Sequence, residues 1–138
     1  MLKMLISALV LLLTATAPAV AEDDVDIVIP ETEIILALQA AIKAGDKDWL
    51  AAHMHFPVRY FGETKHIIRS KDWFLQHYDT IIGPKLRANI LAQDPEDYFK
   101  NYQGLMVGDG GRNIWFQDFG DGNGFKYEII TIPIYICI

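Results

Sequence analysis

Cysteine is nearly absent from this 138-residue chain, and the position of the only one restricts its role. Cys137 has no partner within the sequence, so an internal disulfide cannot form and the fold depends on its hydrophobic core. A disulfide between two copies of the chain is the one alternative. Because Cys137 is far from the N-terminal region, we expect no lipid anchor there.

Basic residues are also scarce. The chain has 12 Lys and Arg against 18 Asp and Glu, which gives a formal net charge of −6 at pH 7. A nucleic-acid-binding protein needs a clustered basic surface to neutralise phosphates, whereas these basic residues are scattered among acidic ones. The same charge disfavours an anionic membrane surface. We therefore expect neither partner, and the acidic surface would suit a basic protein.

Long apolar runs are confined to the start of the chain. A short positive segment precedes the apolar run 4–13, and small residues follow up to Ala19-Val20-Ala21. This order is typical of a signal peptide, and the apolar run is too short to cross a bilayer comfortably. We predict a signal peptide over 1–21, cut after Ala21, and hence a periplasmic or secreted protein. An acidic leader over 22–30 and one folded domain over 31–138 are expected to follow.

The first part of this domain has helical periodicity. A first helix begins near Glu31 and ends before Gly45, with one apolar stripe at positions i, i+4, i+7 and i+8. The stripe consists of Ile34, Leu38, Ala41 and Ile42. Asp46 can cap a second helix. That helix is expected to end near Phe56, because Pro57 disfavours helix in the residue before it.

A hairpin and further helices are predicted next. Segments 58–61 and 65–69 flank a turn, and Ser70 then resembles the N-cap of a third helix. Its apolar stripe consists of Phe74, Tyr78, Ile81 and Ile82. Pro84 restarts a short fourth helix, and the cap-proline-acid pattern of Asp94 predicts one more turn reaching about Tyr102.

After residue 104 the periodicity changes from helical to alternating. Strands are predicted over 105–107, 113–119 and 127–138, separated by glycine-rich turns. The last strand carries its isoleucines on one face, namely Ile130, Ile132, Ile134, Ile136 and Ile138. Pro133 predicts that this strand lies at an edge or is bulged there. Helices followed by a meander predict an α+β fold, with N-terminal helices packed on one face of a curved, mainly antiparallel sheet.

Four short motifs also suggest a family. They are the helix break Ala41 to Asp46 before Trp49, the pair Phe56-Pro57, the helix 70–78 and the hairpin 108–115. Their order resembles the NTF2-like (cystatin-like, cone-shaped α+β) superfamily over residues 31–136. The resemblance implies a cone-shaped domain and a homodimer built on the open sheet face. This superfamily includes isomerases, dehydratases, polyketide cyclases, and transport and immunity-type binding proteins, so the fold alone does not assign an activity.

Candidate metal sites are weak. His53 and His55 have the spacing of some metal ligands, but side chains two residues apart on a helix diverge, and no cysteine or carboxylate lies close in sequence. We expect His53 to pack beside Trp49 and His55 to cap the helix end. The loop around Asp121 lacks the alternating oxygen ligands of a calcium site, since Phe125 takes one of those positions. We therefore predict neither a metal nor another cofactor.

A catalytic site is the weaker of two functional hypotheses. His77 and Asp79 lie on the third helix, and Trp73 one turn away could shield His77 from water. With Tyr60 as a further acid–base group, they could serve an isomerase or cyclase. However, no Asp–His or Asp–Tyr pair matches the isomerase or dehydratase sites of the superfamily.

Aromatic residues favour the leading hypothesis, an exported non-enzymatic binding module. Its ligand would be a small apolar or aromatic molecule or an exported protein, and an inhibitor or immunity role is included. Such pockets are largely apolar with a few polar groups. The ligand-binding candidates are Tyr60, Tyr78, Trp115 and Phe119, with Arg59 and Asp118 as polar anchors. The alternative is that these aromatic side chains only fill the core.

Overall fold

The computed structural model describes residues 15–17, 27–62 and 64–133. Outside these ranges lie most of the predicted signal peptide (1–14 and 18–21), part of the acidic leader (22–26) and the terminal segment with Cys137. The described part contains five helices and one six-stranded mixed sheet, so the predicted α+β class is confirmed. None of its helices has the length and apolar character needed to span a membrane.

The helices begin where the local capping signals place them. They are α1 Pro30–Ala44, α2 Lys47–Ala52, α3 Lys71–Gln76, α4 Tyr78–Ile81 and α5 Pro84–Ala92. The side chain of Asp46 accepts a hydrogen bond from the Trp49 backbone N–H, and Ser70 does the same for Trp73. The buried stripe of α1 differs slightly from the prediction, because Ile35 is fully buried and Ile34 only partly.

Three predicted elements were wrong in extent. The second helix ends at Ala52 rather than near Phe56, because the chain from Met54 onward is extended and pairs with the last strand. The third helix is interrupted at His77, although all four predicted stripe residues are buried. The turn after Asp94 does not continue as a helix, because residues 99–101 pair with the following strand instead.

The strands form an open sheet in which only one neighbouring pair is parallel. They are β1 Met54–Phe61, β2 Lys65–Ile68, β3 Phe99–Asn101, β4 Gly104–Gly108, β5 Asn113–Asp118 and β6 Tyr127–Pro133. Their order is β2-β1-β6-β5-β4-β3, with β1 and β6 parallel and all other neighbours antiparallel. The sheet is therefore mainly antiparallel, as predicted.

The position of β6 corrects the sequence prediction. This strand lies in the middle of the sheet, between β1 and β5, and not at an edge. Its register against β5 shifts between Ile129 and Thr131, so Ile130 is an extra residue of a β-bulge. Because a bulge reverses the alternation, Ile132 is buried in the core whereas Ile130 is not, and the isoleucines do not share one face. Residues 134–138 of the predicted strand lie outside the described residues.

The helices cover one face of the sheet and form the core with it. Fully buried side chains come from the helices, such as Leu38 and Phe74, and from the strands, such as Val58 and Phe116. On the opposite face, side chains are half-buried or exposed, including Arg59 and Trp115. This second face is therefore where the sheet presents side chains to other molecules.

Candidate ligand-binding grooves

The strand register aligns one residue from each strand in a row across the uncovered face. Each residue of the row is paired with the next across neighbouring strands. In order, the row consists of Phe99, Met106, Trp115, Thr131, Arg59 and Ile67. Phe99 contacts Trp115 edge to face, with ring centroids 6.2 Å apart. This face is therefore mostly apolar, with a single cation in the row.

A groove of about 420 Å³ crosses the middle of this row, and we call it the open-face groove. It is lined by Arg59, Gln103, Trp115, Ile130, Thr131 and Pro133. Arg59 and Trp115 both pair with Thr131 from opposite sides. The bulge turns Ile130 toward the groove beside Thr131, since the two residues together oppose one residue of β5. The groove therefore has an apolar floor with a guanidinium on one side and an indole on the other.

The Arg59 guanidinium group makes no ion pair or hydrogen bond with any residue that the structure describes. The ion pairs found there involve other side chains, namely those of His55, Lys71, Lys100 and Lys126. A guanidinium is well suited to bind a carboxylate through two parallel hydrogen bonds. The charge of Arg59 is thus available to an anionic group that enters the groove.

Of the six sequence-predicted candidates, the structure brings together only Arg59 and Trp115. Tyr60 points toward the helix side and packs against the core. Tyr78 is buried on α4, edge-on to Phe74, and burial raises the pKa of its hydroxyl. Both lie apart from the open-face groove.

The other two candidates, Asp118 and Phe119, lie at the end of β5 and at the start of its connection to β6. The Phe119 ring stacks on His55 with centroids 3.9 Å apart. The Asp118 carboxylate accepts hydrogen bonds from the backbone N–H groups of Lys126 and Gly120, which hold its pKa below the usual range. Asp118 thus orders a turn and does not line the open-face groove.

Every histidine of the chain stacks on an aromatic ring. As predicted, His53 packs on Trp49, with centroids 3.9 Å apart. His66 and His77 both stack on Trp73, at 4.3 and 3.8 Å. The prediction that His55 caps a helix was wrong, because it lies on β1 and bonds Glu128 across 2.6 Å. Within the described ranges, no three His, Cys, Asp or Glu side chains are grouped closely enough to hold a metal ion.

His77 and Asp79 do not form a joint site. The Nδ1 atom of His77 lies 2.7 Å from the carbonyl oxygen of Trp73, and its ring is stacked on the same residue. Asp79 is exposed on α4. Neither residue lines the open-face groove or the second groove described next.

A second groove of about 360 Å³ lies at the rim of the sheet, on the helix side, and we call it the rim groove. Its aromatic residues are Trp49, Phe125 and Tyr127, its aliphatic residues are Pro30, Ile34 and Ala37, and its polar residues are Glu33, His53 and Lys126. It is thus formed by α1, by α2 with its C-cap residue, and by the connection into β6 with the first residue of that strand. Residue 53 joins two of these elements, because its carbonyl oxygen accepts a hydrogen bond of 2.7 Å from the Ile129 N–H.

A partly buried ionic cluster lies next to the rim groove and includes Tyr127 of its lining. The Tyr127 hydroxyl donates a hydrogen bond of 2.7 Å to the Glu31 carboxylate, which also accepts one from the Lys100 ammonium group. Burial raises the pKa of Glu31, but the hydrogen bonds from Lys100 and Tyr127 outweigh it, so the pKa lies below the ordinary value. The carboxylate is therefore charged and fastens the first turn of α1 to β3 and β6.

Sequence reasoning missed the residues of the rim groove. One signal was present, because the segment Lys47 to His53 repeats as Lys71 to His77 with the shared pattern Lys-Asp-Trp-x-x-x-His. In both copies the tryptophan follows a capping residue and the histidine ends the helix and stacks on it. Comparison of the chain with models of known protein families, with curated proteins and with solved structures found no match.

Proposed function

We propose that this chain is a small exported binding protein of NTF2-like shape. In this proposal the open-face groove holds an apolar or aromatic molecule that carries a carboxylate. The observation that carries the proposal is the placement of Arg59 and Trp115 on either side of Thr131, in a groove open to solvent. A groove of about 420 Å³ is within the usual range for small ligands.

The chemistry of the lining defines the ligand class. Trp115 and Ile130 offer apolar surface, which favours an aromatic or aliphatic body. Arg59 offers a charge without a partner among the described residues, which favours an anionic group. Gln103 and Thr131 add hydrogen-bonding groups that can orient the ligand. A binding role is preferred to catalysis, because His77 and Asp79 line neither groove.

Export and family are supported by different observations. The sequence pattern of residues 1–21 supports export through a cleaved signal peptide. Helices that cover one face of an open, mainly antiparallel sheet support the NTF2-like shape. The acidic balance of the chain leaves an exported basic protein as a further partner to consider.

The test uses a matched pair of probes, 2-naphthoate and its neutral amide. The three tryptophans give three indole N–H signals in a two-dimensional ¹H–¹⁵N spectrum, which Trp→Phe variants assign. We expect 2-naphthoate to shift the Trp115 signal and leave the Trp73 signal in place, with the amide binding about tenfold more weakly because it lacks the charge. Equal binding of the two probes, or shifts at Trp73 instead, would contradict the proposal.

A matched arginine pair separates the groove from general charge. Arg59→Gln is expected to weaken 2-naphthoate binding about tenfold, since one charge-assisted interaction is removed. Arg69→Gln is the control, because Arg69 is exposed and lies outside the groove. Equal effects of both variants would show that only the overall charge matters.

A second copy of the chain is the competing occupant of the same face. Native mass spectrometry of the mature protein distinguishes the two. We expect the mass of one chain at the concentrations of the titration. A stable dimer with a Trp115 signal that 2-naphthoate does not shift would replace the small-ligand proposal by self-association.

A further inference from the structure

The rim groove brings three aromatic rings from two distant parts of the sequence into one concave surface. Trp49 comes from α2, whereas Phe125 comes from the connection into β6 and Tyr127 is the first residue of that strand. The rings of Phe125 and Tyr127 are nearly parallel, with an interplanar angle of 5° and centroids 6.3 Å apart. Phe125 is 62% exposed, which is unusual for a phenylalanine that only supports the fold. The exposed ring is therefore available to a ligand.

Two of these rings are held in place before any ligand arrives. The Tyr127 hydroxyl is fixed by Glu31 at 2.7 Å, and its ring follows that constraint. Trp49 is fixed by the Asp46 cap on its backbone and by the His53 ring stacked at 3.9 Å. A site whose side chains are already ordered loses less conformational entropy on binding. The groove is thus organised as a binding site and not only as a surface depression.

The charges around the groove favour a cationic ligand. The Glu33 carboxylate lines the groove and has no ion pair or hydrogen bond within the described part of the chain. Lys126 also lines it, but its ammonium group is 3.2 Å from the Glu128 carboxylate, which compensates the positive charge. The Lys100 ammonium group lies 5.8 Å from the centroid of the Tyr127 ring, and its charge is compensated by Glu31. Aromatic faces carry negative potential and attract cations positioned over them.

We infer that the rim groove binds a quaternary ammonium group, with Trp49, Phe125 and Tyr127 as an aromatic cage and Glu33 as its anionic partner. Methyl groups on the nitrogen match the apolar walls, and the delocalised positive charge matches the ring faces and the carboxylate. This inference is independent of the open-face groove, which carries the opposite charge and lies on the other face of the sheet.

The decisive probe pair is choline and 3,3-dimethylbutan-1-ol, which have the same shape but differ in charge. In the same ¹H–¹⁵N spectra, choline is expected to shift the Trp49 indole signal and leave the Trp73 signal unchanged. The neutral alcohol should bind at least about fivefold more weakly, because it cannot make the cation–π interaction. Equal binding of the two would overturn the inference, since the groove would then be merely apolar.

Two variants localise the effect, each with a control of the same residue type or exposure. Phe125→Ala and Glu33→Gln should each weaken choline binding about fivefold, and both positions are exposed, so the fold is retained. Glu96→Gln and Tyr102→Ala are the controls, because Glu96 and the 95%-exposed Tyr102 lie outside the groove. Unchanged choline affinity in both groove variants would overturn the inference.

The same chemical group occurs on free solutes and on lipid headgroups. Cosedimentation with phosphatidylcholine vesicles, compared with phosphatidylglycerol vesicles, separates the two sources. Binding to free choline without cosedimentation assigns a soluble ligand, and selective cosedimentation with phosphatidylcholine that free choline competes away assigns a headgroup. Absence of both overturns the proposed site.

Discussion

The open-face groove and the rim groove are similar in size but are built by different means. The first is formed by strand register and a bulge, and its side chains project from neighbouring strands of one sheet. The second is formed where α1, α2 and the connection into β6 meet, and a partly buried ionic cluster ties α1 to β6. The first presents a cation and the second an anion. One acidic chain can therefore offer two grooves that prefer ligands of opposite charge. Different substitutions are expected to weaken binding in each groove.

The largest expected effect concerns the sheet that carries the open-face groove. Gly104 has φ +136°, and a Cβ atom there would lie 2.1 Å from the Phe116 backbone oxygen of the neighbouring strand. Backbone cannot move aside without breaking the β4–β5 pairing, so Gly104→Ala should lower the free energy of unfolding by about 3 kcal/mol. Urea unfolding followed by circular dichroism measures the change.

The matched control is a glycine in the loop that borders the rim groove. Gly122 also has a positive φ, +91°, but its Cβ would meet nothing within 4 Å. Gly122→Ala should therefore cost only about 1 kcal/mol, from the backbone conformation alone. Equal losses in the two variants would mean that the close approach at Gly104 does not contribute.

The next largest effect is expected at Glu31, which supports the rim groove but not the open-face groove. Glu31→Gln removes the charge that binds Lys100 and Tyr127, and we expect a loss of about 2 kcal/mol in the free energy of unfolding. Because this cluster holds the Tyr127 ring, choline binding should weaken while 2-naphthoate binding is retained. Loss of both affinities would show that the grooves are not separately supported.

The same cluster predicts a pH dependence of stability. The folded-state pKa of Glu31 is below its ordinary value of 4.5, so the folded protein holds this proton less tightly than the unfolded chain. The stabilisation is therefore complete above pH 4.5 and is lost as the pH falls through the folded-state pKa. Acid titrations of wild type and Glu31→Gln should converge below that value. Parallel curves at all pH values would exclude Glu31 as the cause.

Sequence prediction was accurate for local contacts and inaccurate for contacts between distant parts of the chain. The caps of α2 and α3 at Asp46 and Ser70 were predicted correctly, since a cap contacts a residue only three positions away. A bulge in β6 was predicted only as an alternative and at Pro133, whereas its position at Ile130 depends on the partner strand and not on β6 itself. The contact of Glu31 with Tyr127 spans 96 positions and leaves no periodic signal in the sequence.

The candidate site shows the same limit. Arg59 and Trp115 were named from their residue types, but Tyr78 was named for the same reason and is buried in the core. Only the register, in which both Arg59 and Trp115 pair with Thr131, distinguishes groove residues from core residues. The rim groove could not be predicted, because three separate elements form it. The repeated Lys-Asp-Trp-x-x-x-His pattern was a local indication of one of these elements, α2.

A smaller effect on ligand affinity is expected from the salt concentration. It tests whether the two grooves prefer ligands of opposite charge. Raising the salt concentration about 25-fold, from ~20 to ~500 mM, should weaken the binding of both probes by roughly twofold to fivefold. Both contacts involve charges that are accessible to salt ions. In Arg59→Gln the salt dependence should vanish for 2-naphthoate and persist for choline, and in Glu33→Gln the reverse is expected. Loss of salt dependence for both probes in one variant would contradict two separate sites.

The smallest effect concerns the residue that lies between the two grooves on β6. Glu128 separates Tyr127 of the rim groove from the bulge, and its carboxylate bonds His55 at 2.6 Å and Lys126 at 3.2 Å. Burial raises the pKa of Glu128, yet these partners hold it below the ordinary value. His55 and Lys126 are both partly or largely exposed, so Glu128→Gln should cost less than about 1 kcal/mol. It should also release Lys126 into the rim groove and weaken choline binding about twofold, with 2-naphthoate unaffected. A larger loss of 2-naphthoate affinity than of choline affinity would mean that β6 transmits changes from one groove to the other.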